Sequence, residues 1–252
     1  MIRFFRNIRQ KLLQNGNIRK YFWYALGEVF LVVIGILIAL QINNWNEANK
    51  TRAIEKQILV QIRNDLNGAI RDIDGNTEFY NNSIESADII LDHMGSNQPY
   101  HDSIGVHISR AFVWVKLVMN RGGYESVKSI GIDVISNDSL KNDIINLFEG
   151  TIYFHREFES IPNSHSENMF KLDGKKYFKS MNKGFGFYDG SIFIGYSEPI
   201  DYSRLRKDNE FRYQLETYKA FVSGHQNLVN RRTRDRITTL IKQIEDEVEV
   251  LN

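Results

Sequence analysis

The sequence predicts a mainly α protein, with an N-terminal transmembrane helix followed by an extramembrane helical bundle. We expect long first and last helices in the bundle and a small β-hairpin insertion. Two observations predict this class. Residues 21–42 form an apolar run with a single charge, and much of the remaining chain repeats apolar residues at spacings of three and four, as amphipathic helices do.

Length and composition narrow the possible functions. The 252 residues are enough for a buried core without a metal or a disulfide. The chain has no cysteine, which excludes thiol catalysis, thiolate zinc sites and iron–sulfur ligation. The formal net charge of +1 hides an uneven distribution: a basic start, an apolar run and a mildly acidic body. The basic residues of segment 1–20 are Arg3, Arg6, Arg9, Lys11, Arg19 and Lys20.

The apolar run is predicted to cross a membrane. As a helix it reaches about 33 Å, which matches a hydrocarbon core of about 30 Å. A buried core helix rarely stays apolar for so long, a cleavable signal peptide has a shorter run and a small-residue site, and a surface helix needs a polar face. Basic residues before the run and Trp45 after it favour an uncleaved anchor. We therefore expect 1–20 in the cytoplasm and 43–252 outside, with the lipid bilayer as a partner.

Glu28 is the single ionisable residue of the run. An ionised carboxylate in a bilayer is costly, so it needs a partner or a proton. Glu28, Gly35 and Ala39 fall near one helix face, and small residues there favour contact with another helix, either of a partner protein or of a second copy. The alternative is that Glu28 reaches the inner interface, toward Arg19 or Lys20. The sequence leaves both interpretations open.

The body begins with two predicted helices. The first continues from the anchor and ends near Asp74–Gly75 with a glycine cap, and the second covers about 77–94. Segment 104–119 is apolar enough for a buried helix, although its β-branched residues leave a strand open. A short helix lies between the glycines at 122–123 and 131. Ser136, Asn137 and Asp138 then offer N-caps to another helix.

The rest of the body is predicted to contain the hairpin and the longest helix. The hairpin insertion covers about 161–199, with Asp189–Gly190 as its turn. From Asp208 to Leu251 the helical pattern is continuous except for a slip after Val229. We expect this helix to pack antiparallel on the first helix of the body.

No pattern predicts catalysis. The six histidines lack the spacing of a zinc site, so we expect surface positions or ordinary partners for them. There is no nucleotide loop and no nucleophilic serine motif. The basic run 231–236 predicts a solvated helix face or a lipid-headgroup contact rather than a nucleic-acid site. We expect no catalytic, cofactor-binding or metal-binding residue, no cofactor, no nucleic-acid partner and no enzyme activity.

Two sequence blocks carry a resemblance. The opening FFRNIRQKLL with KYFWYALGEVFLVVIGILIALQINNWNE resembles that of an uncharacterised family of single-pass membrane-anchored proteins from Bacteroidota, a domain of unknown function. YESVKSIGIDVISNDSLKNDIINLFE and the later DNEFR are similar to that family too. The resemblance implies a Gram-negative inner-membrane protein with a periplasmic domain, and it implies no activity.

Three function classes follow. The favoured one is a periplasmic module that binds a partner protein or acts as a scaffold, either with another protein or as a homo-oligomer. The alternative is a helical bundle that senses a ligand and acts through a partner. An envelope enzyme ranks last, because no catalytic pattern supports it.

Overall fold

A computed structural model describes residues 18–96, 98–188, 191–193 and 195–251. The chain divides into two units, Met1–Ile54 and Glu55–Asn252. Four of the basic residues that are predicted to set the orientation of the anchor lie outside the described residues. They are Arg3, Arg6, Arg9 and Lys11.

Helix α1, Ile18–Gly95, supplies the described part of the first unit. Its most apolar stretch has a mean hydropathy of 2.5 and no buried residue, so it is long and apolar enough to cross a membrane. Side chains such as Val29 and Leu31 are each 64% exposed within this chain. The predicted apolar N-terminal helix is confirmed.

The predicted break at Asp74–Gly75 is wrong, because α1 continues through it to Gly95. A glycine in a helix costs only about 1 kcal/mol, and buried residues on both sides of Gly75 supply more than that. Ile73 and Tyr80 are both buried in the core of the second unit. Packing of the apolar face therefore carries the helix past the glycine.

The prediction of a helix over 104–119 is correct only in its first half. Helix α2 is Asp102–Ala111, and His101 caps it by accepting a hydrogen bond from the Ser103 N–H. Residues 112–121, called here the irregular segment, form neither helix nor strand. Side chains of the surrounding helices bond its backbone groups, which allows buried backbone without regular structure.

Two rods of helix follow the irregular segment and the short helix α3, Gly122–Ile130. After a 3₁₀ turn at Ile132–Val134, the first rod consists of α4, π1, α5, π2 and α6. The Asn137 side chain accepts from the Leu140 N–H at the start of α4, as predicted. The bounds of the first rod are α4 Asp138–Ile145, π1 Asn146–Thr151, α5 Ile152–Asn168, π2 Met169–Asp173 and α6 Gly174–Tyr177.

The β structure is smaller than predicted, because α5 extends to Asn168 and the strands begin only at Phe178. Four short strands form two nested antiparallel pairs, β1 with β4 and β2 with β3. The strands are β1 Phe178–Lys183, β2 Gly186–Tyr188, β3 Ser191–Phe193 and β4 Tyr196–Pro199. The hairpin is confirmed by the pairing of β2 with β3, and its turn at 189–190 lies outside the described residues.

The second rod packs antiparallel on the part of α1 in the second unit, as predicted. A short helix α7, Tyr202–Leu205, precedes it. The rod consists of α8 Asn209–His225, π3 Gln226–Asn230 and α9 Arg231–Val250. Along the pair, Asp88 bonds Lys219, the Thr77 carbonyl accepts from Gln226, and Asp74 pairs with Arg234 at 2.7 Å. Most of the buried apolar residues described in this unit form two clusters, one around Ile62 and one around Tyr80.

Candidate functional site

Three buried ionisable side chains meet between the two rods. His155 and Glu159 lie one turn apart on α5, and the His155 Nε2 is 3.7 Å from the Glu159 Oε1. The ring of His225, at the end of α8, packs edge-on against that of His155 with centroids 5.1 Å apart. The His155 Nδ1 lies 3.1 Å from the Thr233 hydroxyl of α9. We call His155, Glu159 and His225 the imidazole cluster.

His225 is the least satisfied member of the cluster. It is 4% exposed, and neither of its ring nitrogens has a hydrogen-bond partner in the described part of the chain. Burial, followed by the neighbouring His155, lowers the pKa of His225 to about 4. The Tyr80 ring packs edge-on at 5.5 Å on it, and burial raises the pKa of that phenol. The folded protein therefore keeps His225 neutral near pH 7.

The π segments set the helical phase that turns the histidines of the imidazole cluster and Thr233 toward the core. Buried residues of the second rod follow each other by four at Val229, Thr233 and Ile237, whereas an α-helix averages 3.6 residues per turn. The extra residue of π3 restores the phase, so His225 and Thr233 both face the core. This π segment is the physical cause of the slip in the sequence pattern. Segment π1 precedes His155 in the same way in the first rod.

A groove of the second unit lies between these π segments. It encloses about 810 Å³, and residues of π1, α5, π3 and α9 line it. Arg236 Nη1 donates to the Thr151 hydroxyl at 2.7 Å within it. Its lining includes Thr151, Phe154, Val229, Arg232, Thr233 and Arg236. Thr233 thus connects this π groove to His155.

A second groove, of about 580 Å³, lies between the irregular segment and α5. Glu159 accepts the Leu117 N–H at 2.6 Å, and Asn163 Nδ2 donates to the Val115 carbonyl at 3.0 Å, so both side chains hold the segment on the helix. Its principal lining residues are Trp114, Lys116, Arg156, Glu159, Asn163 and Phe170. We call it the Trp114 groove. Glu159 belongs to both this groove and the imidazole cluster.

An apolar surface lies on the outer side of α5, α8 and π3. The Phe154 and Phe158 rings pack at 4.4 Å and are both 41% exposed, and Leu228 is 69% exposed. Phe221 of α8 packs at 6.0 Å on His165 of α5, which places the two helices side by side. We call Phe154, Phe158, Ile161, Phe221 and Leu228 the apolar stripe.

The basic run 231–236 is distributed over several environments. Arg234 makes a two-point ion pair with Asp74 on α1, through its Nε and Nη2 atoms. Arg232 and Arg236 line the π groove. The four arginines of the run are exposed, as a solvated helix face predicts, and Arg234 and Arg236 also bond an acidic residue on α1 and a hydroxyl on π1.

The prediction that the histidines have surface positions or ordinary partners is wrong for His225, which is buried without a partner among the described residues. His155 and His165 are also removed from the surface, but each has a hydrogen-bond partner. The signal for His155 and Glu159 was their i, i+4 spacing on one helix face. No signal pointed to His225, because its position fits an ordinary core repeat. In the described part of the chain, no group of three His, Cys, Asp or Glu residues could hold a metal ion.

The predicted anchor residues belong to the first unit. Glu28, Gly35 and Ala39 lie on α1, where Gly35 and Ala39 are exposed and Glu28 is half-buried. A Cβ placed on Gly35 meets no atom within 4 Å, which leaves room for another helix. Arg19 and Trp45 are exposed, and Lys20 lies within α1. Contact of another helix with this face stays a prediction.

Comparison with known proteins gives a family and no activity. No curated protein and no solved structure shows significant similarity to the chain. A model of a family of unknown function, DUF6090, matches residues 28–181, from the apolar run to β1. The match includes the irregular segment and α5, with His155 and Glu159, and it stops before the second rod. Since the matched residues make up more than half of the 252-residue chain, the protein belongs to this family of unknown function, DUF6090.

Proposed function

We propose that this protein is a single-pass inner-membrane protein whose periplasmic body binds a partner protein through the apolar stripe. The stripe is the observation that carries the proposal. Folded domains seldom expose a contiguous group of aromatic and aliphatic side chains unless another surface covers it. Neighbouring aromatic rings such as those of Phe154 and Phe158 belong to a residue class that is enriched in the cores of protein interfaces.

The shape of the stripe suits a helix. Phe221, Gly224 and Leu228 follow each other by three and four along the second rod, next to the α5 side chains. A Cβ placed on Gly224 would meet no atom within 4 Å, so a partner helix can approach the backbone there. A row of apolar side chains beside a close backbone approach favours an amphipathic helix as the bound element.

The charges at one end of the stripe define the partner further. Arg231 and Arg232 follow Leu228 by about one helical turn and are both exposed. Within the described residues, neither guanidinium has an ion-pair partner, in contrast to Arg234. Charge complementarity therefore favours acidic residues on the partner. The proposed occupant is an amphipathic helix of another protein, apolar on one side and acidic at one end.

The test is site-specific photo-crosslinking of the full chain in native membranes. A photoreactive phenylalanine analogue at Phe158 should give an adduct with a second protein, and mass spectrometry of the linked peptide should identify an acidic amphipathic helix. Leu228→Asp and Arg231→Glu/Arg232→Glu should each reduce the yield of adduct at least about fivefold, since about 1 kcal/mol is lost per contact. The same analogue at Asp138, on the exposed start of α4, serves as the control.

Four results contradict the proposal. The first two are the absence of an adduct from position 158 and an equal yield from position 138. The third is an adduct that contains two copies of this chain, which would assign the stripe to a homo-oligomer instead. An adduct whose yield is unaffected by Leu228→Asp is likewise contrary to the proposal, because the stripe would then play no part in binding.

A further inference from the structure

The Trp114 groove has an aromatic wall that no other part of the described chain covers. Trp114 is 49% exposed, and its ring packs edge-on against Phe170 at 5.5 Å. Both rings line the groove. Exposure of about half of the apolar indole ring to water is unfavourable, and a ligand with an apolar ring face would cover that surface by stacking on it.

The opposite wall is polar. It is formed by α5, where Glu159, Ser160, Asn163 and Ser164 recur at helical spacing and line the groove. Asn163 is 8% exposed, and its Oδ1 accepts no hydrogen bond from the described residues, although its Nδ2 is bonded to the irregular segment. A buried acceptor without a donor costs about 1–3 kcal/mol. A ligand hydroxyl in the groove offers the missing donor.

The rim of the groove is basic. Lys171 pairs with Glu167, and the Glu159 carboxylate accepts the Leu117 N–H. Lys116 and Arg156 line the same groove, and neither makes a direct ion pair among the described residues, although Glu167 attracts Lys116 from a longer distance. Two cations without a direct ion pair beside an aromatic wall favour an anionic ligand.

We propose that the Trp114 groove binds an acidic saccharide. Its ring stacks on Trp114, its hydroxyls bond the Asn163 and serine wall, and its carboxylate lies between Lys116 and Arg156. A planar aromatic anion satisfies the cations and the indole but leaves the Asn163 acceptor without a donor. A neutral sugar satisfies the wall but leaves the cations unpaired. This site is separate from the apolar stripe, and it adds a ligand-binding activity to the proposed partner binding.

The test uses the full chain in detergent micelles. Trp23→Phe and Trp45→Phe remove two of the three tryptophans, both in the first unit, so that Trp114 alone reports by fluorescence. Titration with glucuronate should change the Trp114 emission saturably. Glucose and phenyl phosphate should each bind at least about tenfold more weakly, since each lacks one set of charge-assisted or neutral hydrogen bonds.

Variants assign the binding to the groove. Lys116→Gln/Arg156→Gln should weaken glucuronate binding at least about tenfold and leave the weak glucose binding unchanged. Lys175→Gln/Arg204→Gln removes two exposed cations elsewhere and should leave glucuronate affinity unchanged. The proposal is overturned by no saturable response to glucuronate, by glucose binding as tightly, or by phenyl phosphate binding more tightly. Equal losses in the two double variants overturn it as well, since the effect would then be one of overall charge.

Discussion

Carboxylates of helical residues bond the backbone where regular pairing is absent. Glu159 accepts from Leu117, Asp72 accepts the Val118 N–H at 2.9 Å, and Asp65 accepts the Gly123 N–H at 2.8 Å. Glu55 accepts both the N–H and the hydroxyl of Ser136. A hydrogen bond to a charged acceptor is stronger than a neutral one, so four side chains can hold segments that contribute no ladder of their own.

His225 makes the folded state sensitive to acid. Its folded pKa is about 4 against an ordinary value of 6.5, so between these values the unfolded chain binds more protons than the folded one. Stability is therefore complete above about pH 6.5 and is lost as the pH falls toward 4, by about 3 kcal/mol from this group. His225→Phe should remove this part of the pH dependence. Chemical unfolding of the full chain in micelles between pH 4 and 8 measures it.

His165 provides the matched control. Burial lowers its pKa too, but its Nε2 donates to the Gln214 carbonyl at 3.0 Å. His165→Phe should therefore cost about 1 kcal/mol at pH 7 through the lost hydrogen bond. His225→Phe removes no hydrogen bond and should cost nothing there. A wild-type pH profile in His225→Phe would contradict the prediction, because it would show that folding does not change the pKa of this imidazole.

At the scale of the elements, two helical glycines differ in the space that is available for a Cβ atom. Gly75 lies in the middle of α1, and a Cβ there meets no atom within 4 Å. Gly123, in the first turn of α3, lies so close to α1 that a Cβ would be 2.7 Å from the Ile62 backbone nitrogen. Gly75→Ala should stabilise by about 0.5–1 kcal/mol through helix propensity. Gly123→Ala should destabilise by about 1–3 kcal/mol, because α3 must move away from α1.

Urea unfolding midpoints of the two variants compare these effects directly, since the chemical change is identical. A loss of stability in Gly75→Ala would indicate that α1 is interrupted at this residue, as the sequence pattern suggested. Wild-type stability in Gly123→Ala would show that α3 and α1 are not in close contact. Circular dichroism of both variants should show unchanged helix content.

The elements that the sequence predicted correctly are those with local causes. Asn137 caps α4 through a single local hydrogen bond, in which its side-chain oxygen accepts from the N–H of the residue three positions later. The end of α2 at Ala111 and the continuation of α1 past Gly75 depend instead on partners far along the chain. Tyr218, for example, bonds the Val113 carbonyl from α8. The slip after Val229 is the sequence pattern that corresponds to π3. The imidazole cluster as a whole has no such pattern, because its assembly depends on the register of both rods.

At the scale of the molecule, the net charge of +1 is the sum of a basic start, an apolar run and a mildly acidic body, and these parts have different physical roles. The described apolar stretch of α1 exposes its side chains, whereas most of the buried apolar side chains described in the second unit lie in two clusters. A membrane and a protein core are the two environments that such side chains require. Under our proposal the same helix therefore lies partly in a membrane and partly in a protein core, and the basic start of the chain selects the direction in which it is inserted.

The proposed orientation can be tested with cysteines, because the chain has none of its own. Lys207→Cys, an exposed position after α7, should react with a membrane-impermeant maleimide in intact spheroplasts. Asn7→Cys should react only after detergent is added, and both labelled proteins should have the mass of the uncleaved chain. Since the proposed topology relies on basic residues to hold the start of the chain in the cytoplasm, their replacement by Gln should increase labelling at position 7 in intact spheroplasts. The residues replaced are Arg3, Arg6, Arg9 and Lys11.

Two outcomes would contradict the proposed anchor. If Asn7→Cys with its basic residues intact is labelled in intact spheroplasts while Lys207→Cys is protected, the topology is the reverse of the proposed one. A shortened Lys207→Cys product would show a cleaved signal in place of an anchor.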